Sequence, residues 1–329
     1  MKKLLSVLLA VVLLCMPLTV FAGDIYKTAE KRTYTNADTT LPYRLILPEK
    51  YDETKSYPML VFLHGAGERG NDNELQFFHC VQYLHNNMPD CIIVAPQCPV
   101  GQQWVDTPWA NGAYSIDAVP ESNELTAVME LLQSLEEEFS VDSDRIYAAG
   151  ISMGGFGTWD LMMRHNDYFA AAIPVCGGGD PSQGELLKDT PLFVFHGDAD
   201  TAVPISGSTQ TVDAIKQAGG TQVEYVIYEG QGHGIWNNAF TTEGLLDKLL
   251  TKKLSDRYPA EESTPEESAP EESAPESTEE TVSEAASEAV STEESKSDDK
   301  GDSLLIPILL AVAVLTVVAV AVVFVVKKK

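Results

Sequence analysis

The stretch Gly150-Ile151-Ser152-Met153-Gly154 decides the fold of this 329-residue chain. It follows a short apolar run, residues 145–149, that is typical of a β-strand, and it precedes a segment with helical character. A Gly-x-Ser-x-Gly sequence between a strand and a helix is typical of a sharp turn that exposes the serine, because the glycines let two backbone segments pass close together. We therefore predict that Ser152 is a nucleophile.

A nucleophilic serine needs a base that takes its proton and an acid that orients the base. In one recurrent chain order the acid follows the serine and the histidine comes last. Asp200 and His233 satisfy that order, and each follows an apolar run that predicts a strand. Asp198 is the rival acid, but it lies closer to its strand and we expect it to structure the turn. The sequence thus predicts a triad of Ser152, Asp200 and His233.

The segment 64–70, His-Gly-Ala-Gly-Glu-Arg-Gly, is a glycine-rich loop after an apolar strand. Backbone N–H groups from such a loop, and from the residue after the nucleophile, stabilise the negative charge of an acyl-transfer intermediate. We therefore predict Ala66 and Met153 as the oxyanion-hole donors, with Gly67 as the alternative to Ala66. His64 precedes the serine, and we expect it to brace the loop through hydrogen bonds.

Three further residues are predicted to line a substrate pocket: Trp236, Trp104 and Arg69. Trp236 lies three residues after His233, and Trp104 belongs to the long irregular connection 96–122. Aromatic residues in that connection either stack on a substrate or pack the loop onto the domain, and Arg69 either binds a substrate carboxylate or pairs with Glu68. The sequence contains no zinc-type His/Cys spacing and no Gly-x-Gly-x-x-Gly after a first strand, so we predict neither metal nor cofactor.

Apolar periodicity predicts a mostly parallel central sheet with helices on both faces. The central strands read as continuous apolar runs separated by helical stretches, which is the pattern of an α/β protein. The predicted strands lie near 31–36, 41–47, 58–63, 91–95, 145–150, 170–175, 191–196 and 223–228. The predicted helices lie near 74–86, 123–138, 153–165, 207–218 and 240–254.

The two ends of the chain predict a membrane-anchored protein. Residues 1–22 have a basic start, an apolar stretch and a small-residue cleavage site, as in a signal peptide. Residues 304–326 are 23 residues without a charge, enough to cross a hydrocarbon core of about 30 Å, and three lysines follow. We expect a membrane helix over 303–326, a cytoplasmic tail over 327–329, and a catalytic domain over 23–258 on the outer face of the plasma membrane.

An acidic low-complexity segment, 259–302, separates the domain from that apolar stretch. It holds 13 Glu, 3 Asp and 2 Lys and no aromatic residue, so it cannot bury enough apolar surface to fold. We expect it to be a disordered stalk. The span 23–258 itself has 33 acidic and 15 basic residues, a net charge of −18, which excludes nucleic acid as a partner.

Four cysteines remain after the signal segment: Cys80, Cys91, Cys98 and Cys176. An extended stretch between Cys91 and Cys98 spans about 23 Å, too far for a disulfide between Cα atoms that must lie within about 7 Å. A bridge between Cys80 and Cys98 and a set of free buried thiols both remain open.

The motifs together resemble the secreted serine esterases of the α/β-hydrolase superfamily over roughly residues 30–255. The matching segments are 64–73, 150–155, the His196-Gly197-x-x-Asp200-x-x-Val203-Pro204 stretch, and Gly232-His233. The resemblance is to the group labelled predicted peptidase or phospholipase/carboxylesterase, which is similar to feruloyl and polyhydroxyalkanoate-depolymerase-type esterases. It implies an α/β-hydrolase fold, and it implies the same triad as the residue-level argument.

The leading hypothesis is therefore an extracellular serine carboxylesterase that acts on small-molecule or polysaccharide-linked esters, including feruloyl or acetyl groups. A serine peptidase with the same triad is the alternative within hydrolases, although the sequence shows no extra domain to gate peptides. A non-catalytic surface binding module is the alternative from another class, and the presence of all three triad residue types argues against it.

Overall fold

The computed structural model describes residues 25–258, and an eight-stranded sheet forms its centre. The strands are β1 Glu30–Thr35, β2 Thr40–Ile46, β3 Tyr57–Leu63, β4 Ile92–Pro96, β5 Val141–Ile151, β6 Ala171–Val175, β7 Leu192–Gly197 and β8 Val223–Tyr228. The helices are α1 Ile25–Thr28, α2 Val81–Asn87, α3 Asn123–Glu138, α4 Met153–Arg164, α5 Gly184–Leu187, α6 Ser206–Gln217, α7 Trp236–Phe240 and α8 Leu245–Leu250.

The strand order is β1-β2-β4-β3-β5-β6-β7-β8. Strand β2 runs antiparallel to both of its neighbours, whereas every neighbouring pair from β4 to β8 is parallel. The prediction of a mostly parallel sheet is confirmed. Because parallel strands end at the same edge, the loops that follow β3, β5, β7 and β8 meet there.

Hydrophobic side chains fill both faces of the sheet. Along β3, Met59, Val61 and Leu63 belong to one core cluster, and Leu60 and Phe62 belong to a second. The first cluster includes side chains of α3, α4 and α6, and the second includes side chains of α2, α7 and α8. Helices therefore cover both faces, as predicted, and this explains why all seven residues of β3 are buried.

The helix predicted over 74–86 is wrong in its first half. Leu75–Phe77 is a single turn of 3₁₀-helix, and the α-helix begins only at Val81. Cys80 lies between them with a φ of +62°, which an α-helix does not accommodate. Asn73 and the residues after it are held by tertiary hydrogen bonds, since the Asn73 side chain donates to the carbonyls of Arg32 and Tyr43.

The range predicted as one helix, 240–254, contains only α8 and the last residue of a separate short helix, α7, which begins at Trp236. Gly244 separates them with a φ of +72°, a conformation that glycine adopts without steric cost. The sequence pattern located the apolar residues of this segment correctly, and α8 buries Leu245, Leu246 and Leu249.

All four cysteines of the described residues are buried and free. The open question between a Cys80–Cys98 bridge and free thiols is settled in favour of free thiols. Burial raises the pKa of Cys80 to about 12 and that of Cys176 to about 12, so both groups stay protonated at neutral pH.

The predicted signal peptide (1–22), stalk (259–302), membrane helix (303–326) and tail (327–329) all lie outside the described residues. Among the helices of residues 25–258, none combines the length and the apolar character needed to cross a bilayer.

Candidate active site

Ser152 lies at a sharp turn between β5 and α4. Its backbone has a φ of +55° and a ψ of −118°, a strained conformation for a residue with a side chain. The flanking glycines are required by close packing: a Cβ on Gly150 would lie 2.3 Å from the carbonyl oxygen of Gly154, and a Cβ on Gly154 would lie 1.9 Å from that of Leu63. The turn therefore fixes the serine at the carboxyl edge of the sheet.

The structure brings the three predicted triad residues together. Ser152 Oγ lies 2.7 Å from His233 Nε2, and His233 Nδ1 lies 2.6 Å from Asp200 Oδ2. Asp200 comes from the loop after β7 and His233 from the loop after β8, so neighbouring parallel strands deliver both groups to the serine. The Asp200 side chain is fully buried, whereas that of His233 is one-quarter exposed. This geometry lets the imidazole accept the serine proton while its other nitrogen donates to the carboxylate.

Asp200 is surrounded by hydrogen-bond donors. Its Oδ1 accepts from the amides of Ala202 and Val203 at 2.8 and 2.9 Å. Burial alone would raise the pKa of this carboxyl, but hydrogen bonds from His196, His233 and the two amides outweigh burial and hold the pKa well below its usual range. Asp200 is therefore ionised wherever the protein is folded near neutral pH.

Asp198, the rival acid, has a different partner. Its Oδ1 accepts a hydrogen bond of 2.6 Å from the amide of Gly230, in the loop that carries His233. The structure thus assigns the bracing role to Asp198 and the contact with the imidazole to Asp200, as the sequence argument expects.

The glycine-rich loop after β3 packs directly against the nucleophile. A Cβ on Gly65 would lie 3.6 Å from Ser152 Cβ, and Ala66 begins a single 3₁₀ turn, Ala66–Glu68. Met153 follows the serine as the first residue of α4, where a backbone N–H has no acceptor within the helix. Both amides therefore belong to segments beside Ser152, and their oxyanion-hole role stays a prediction.

His64 braces that loop. The amide of Cys98 donates to Nε2 at 2.9 Å, so Nδ1 carries the hydrogen and donates to the carbonyl of Gly65 at 2.6 Å. Burial lowers the pKa of His64 to about 4, which keeps the ring neutral. Both ring nitrogens are thus committed to backbone groups of the loop and its neighbour, as expected from the sequence.

A cleft of about 260 Å³ opens over the triad. Trp236 forms one wall, where its ring meets the His233 ring edge to face with centroids 4.9 Å apart. Trp109 lines the cleft as well, and the ionisable side chains of Glu68 and His79 lie together there, with their closest N and O atoms 3.5 Å apart. The cleft therefore offers aromatic surface beside the nucleophile together with one ionisable pair.

Comparison with known proteins agrees with this geometry. A family model named Esterase, described as "Putative esterase", matches residues 35–285. The chain belongs to this esterase family. A solved structure of a thermostable esterase is 34% identical, with a TM-score of 0.62, over 69% of this chain and 64% of that one. The resemblance to α/β-hydrolase serine esterases, and the expectation of a carboxylesterase-type hydrolase, are confirmed at the level of the family.

Two curated relatives of this esterase differ in size. "Probable feruloyl esterase C" of Aspergillus terreus is 26% identical over 70% of this chain and 82% of its own length. "Dipeptidyl-peptidase 5" of Porphyromonas gingivalis is 27% identical over 63% of this chain, but the match spans only 36% of that longer protein. A solved ferulic acid esterase, 19% identical with a TM-score of 0.52, shares the fold.

The predicted substrate-pocket role is wrong for Trp104. Its side chain is fully buried, and its Nε1 donates a 3.0 Å hydrogen bond to the carbonyl of His64. It supports the loop of this esterase from beneath, because an indole with one polar atom is satisfied by a single backbone acceptor. Of the two roles predicted for aromatic residues in the connection 96–122, Trp104 packs the loop onto the domain, whereas Trp109 lines the cleft.

Arg69 also serves the loop and is not among the residues that line the cleft. Its Nε donates to the carbonyl of Ala66 and its Nη1 donates to that of Gln102, at 2.9 and 3.1 Å. The guanidinium lies over the ring of Trp109, 5.9 Å from its centroid. The predicted pocket role of Arg69 is therefore wrong, because its side chain links the loop after β3 to the connection 96–122. The predicted alternative, a pair with Glu68, is not formed either, since Glu68 pairs with His79.

Several residues that line the cleft were not predicted as pocket residues from the sequence, namely His79, Trp109, Ala202 and Val203. The sequence did indicate a possible role for Trp109, since it lies in a long connection rich in aromatic residues. It does not show which of those residues face the cleft. For His79 there was no such indication, because the segment before α2 read as continuous helix. Ala202 and Val203 follow from the backbone course of the Asp200 loop.

One group of potential metal ligands lies within the described residues. Cys176, His196 and Asp200 each offer a ligand atom, and these atoms lie within 4.8 Å of one another. All three side chains are buried, and both oxygens of Asp200 already accept hydrogen bonds. We therefore interpret the group as the hydrogen-bonded support of the triad acid.

Proposed function

We propose that this protein is a surface-anchored serine carboxylesterase that hydrolyses esters through an acyl-enzyme. One observation carries the proposal: an unbroken chain of hydrogen bonds from Ser152 Oγ through His233 to a buried, ionised Asp200 at the base of an open cleft. Such a chain activates a hydroxyl toward a carbonyl carbon, and membership of the esterase family supports an ester as the substrate.

The reaction follows from the geometry. His233 Nε2 removes the proton as Ser152 Oγ attacks the carbonyl carbon, and the imidazolium that forms is stabilised by Asp200. The amides of Ala66 and Met153 stabilise the oxyanion. The imidazolium then protonates the departing alkoxide, which leaves as the alcohol. Water, deprotonated by His233, attacks the acyl-enzyme, and the carboxylic acid leaves as Ser152 regains its proton.

Polysaccharide-linked esters are the proposed substrate class. The names of relatives support it, since one is called a feruloyl esterase and another is "Endo-1,4-beta-xylanase Y" of Acetivibrio thermocellus. The aromatic walls formed by Trp109 and Trp236 suit a phenolic acyl group or a sugar ring. The apolar stretches at the two ends of the sequence support a location outside the plasma membrane, held by residues 303–326.

A serine peptidase is the second candidate, because one relative is a dipeptidyl-peptidase. The match covers little more than one-third of that protein. The same triad hydrolyses amides only where further binding groups position the peptide, so substrate comparison separates the two candidates.

The test combines labelling with kinetics on the full chain. We expect a fluorophosphonate to add covalently to the wild type at Ser152 and not to the Ser152→Ala variant. We expect the wild type to hydrolyse p-nitrophenyl acetate and methyl ferulate, with kcat/KM far above that on dipeptide p-nitroanilides. Labelling without ester hydrolysis would favour the peptidase, and loss of both would leave only a binding module.

A further inference from the structure

His196 lies in β7 with its side chain completely buried, and it is a second histidine in contact with the triad acid. Its Nε2 is 3.3 Å from Asp200 Oδ2, the same oxygen that accepts from His233 Nδ1. Two imidazole rings therefore meet one carboxylate oxygen. Only the exposed one, His233, reaches the serine.

The hydrogen on His196 Nε2 is fixed by its surroundings. Besides Asp200 Oδ2, this nitrogen faces the carbonyl oxygen of Val203 at 3.1 Å. A carbonyl and a carboxylate oxygen are both acceptors, so an unprotonated Nε2 would place three lone pairs together in a buried site. Nε2 must therefore carry the hydrogen, which it donates to the Val203 carbonyl while it also faces Asp200 Oδ2.

The other ring nitrogen does not change this conclusion. Nδ1 lies 2.8 Å from Ser208 Oγ, and that hydroxyl also lies 3.0 Å from the carbonyl of Gly177. A serine hydroxyl has one hydrogen, so it donates either to the carbonyl or to Nδ1. In the first case His196 is protonated on both nitrogens, and in the second only on Nε2. Nε2–H is present in either case.

We propose that His196 is a positioning residue for catalysis: its Nε2–H faces Oδ2 and keeps the ionised Asp200 carboxylate in the rotation that His233 requires. The two amides of Ala202 and Val203 fix Oδ1, and the two histidines fix Oδ2. The remaining titratable neighbour is the buried thiol of Cys176, from the end of β6. The inference rests on the proposed function, because it takes Asp200 to be the acid of a working triad.

The kinetic test compares His196→Ala with His196→Gln in the full chain, on p-nitrophenyl acetate. Loss of this polar contact with a buried carboxylate predicts a fall in kcat of about tenfold or more for His196→Ala, with KM within about twofold. Asp200, still ionised because the two amides and His233 donate to it, would then have one polar neighbour fewer and would stabilise the His233 imidazolium more strongly, so the acidic limb of the kcat/KM profile moves to higher pH. A glutamine side-chain amide can occupy the place of Nε2–H, so His196→Gln regains much of the loss.

His165→Gln is the matched control. His165 Nε2 also lies beside a carboxylate, Glu121 Oε1 at 2.7 Å, but this pair is remote from the triad. We expect its kcat and pH profile to equal those of the wild type. If His196 has a purely structural role, both His196 variants are expected to melt at a lower temperature. The acidic limb would then not shift and glutamine would not restore kcat, and that result would overturn the proposal.

A second measurement needs neither activity nor a variant. In the wild-type full chain with ¹⁵N-labelled histidine, ring ¹H–¹⁵N spectra report which nitrogens carry hydrogen. A protonated Nε2 on His196 at neutral pH supports the proposal, and an unprotonated Nε2 overturns it. This readout does not depend on catalysis. Absence of esterase activity would therefore refute the proposed function, and the spectrum would still report whether His196 Nε2 carries the hydrogen.

Discussion

Two aspartates separated by a single residue have different roles in this protein. Asp200 accepts from the imidazole of His233, whereas Asp198 accepts from the backbone of Gly230. The difference arises from the turn after β7, which directs one carboxylate toward the loop backbone and the other into the buried space beneath the histidine. At the scale of the residue, the position of an aspartate along this turn determines whether it holds the loop backbone or the catalytic histidine.

Asp200→Asn is expected to lower kcat by about 10³–10⁴-fold, because an amide favours the wrong tautomer of His233. Asp198→Asn is the control, and its effect is expected to be far smaller, since the Asn side-chain oxygen still accepts from the Gly230 amide. Steady-state kinetics on a p-nitrophenyl ester measure both. A larger loss for Asp198→Asn would reassign the acid.

The buried His64 makes stability depend on pH. Burial lowers its pKa from 6.5 to about 4 in the folded state. Between these values the unfolded chain binds a proton that the folded protein does not, so stability falls as the pH is lowered from 6.5 to about 4. Each pH unit in the middle of this window costs roughly 1 kcal/mol of unfolding free energy.

Chemical denaturation at several pH values checks this effect. His64→Gln cannot titrate, so its unfolding free energy is expected to change less steeply than that of the wild type between pH 6.5 and 4. His79→Gln is the control, since the His79 side chain is 39% exposed. Equal slopes for wild type and His64→Gln would contradict the assignment.

At the scale of the element, the turn at Ser152 between β5 and α4 shows what a sequence can specify. Gly150 and Gly154 flank Ser152 at positions where another strand or the helix leaves no room for a Cβ, so the motif itself reports the close approach. The breaks around Cys80 and at Gly244 were missed because apolar periodicity measures which residues are buried. It does not report the backbone angle that ends a helix.

Gly154→Ala is expected to destabilise the protein by at least about 1–3 kcal/mol, because the new methyl would lie 1.9 Å from the carbonyl oxygen of Leu63 and would force α4 away from β3. Gly67→Ala is the matched control in the neighbouring loop, where a Cβ has no atom within 4 Å. Melting temperatures of the two variants test the argument. Equal melting temperatures for Gly154→Ala and Gly67→Ala would show that the turn at Ser152 accommodates a methyl group at residue 154.

The lining of the substrate pocket was also only partly predictable from the sequence. The triad was predictable because chain order and strand ends constrain it, and Trp236 because it follows His233 closely. Trp104 and Trp109 are five residues apart in one irregular connection, and only the fold determines that the first is buried under the loop while the second faces the cleft. Local sequence carries no such information where neither a helical nor a strand period is present.

At the scale of the whole molecule, the described residues contain both core clusters and the complete triad. A chain of residues 23–258 is therefore expected to be soluble and to match the full chain in kcat/KM on a small soluble ester. The acidic segment 259–302 has the same sign of charge as the domain, so attraction between them is not expected.

Kinetics and thermal melting of residues 23–258 beside the full chain test this boundary. Flotation with neutral phosphatidylcholine vesicles tests the proposed anchor, since only the full chain is expected to remain with the lipid. A large fall in melting temperature on truncation would show that residues beyond 258 stabilise the domain. Equal flotation of both would contradict an anchor at 303–326.

The four buried thiols have a consequence for where the domain can mature. No covalent cross-link within residues 25–258 has to form before the sheet closes, so stability comes from non-covalent interactions. The polypeptide can therefore reach its native state in a reducing compartment and in an oxidising one, without an oxidant or a thiol isomerase.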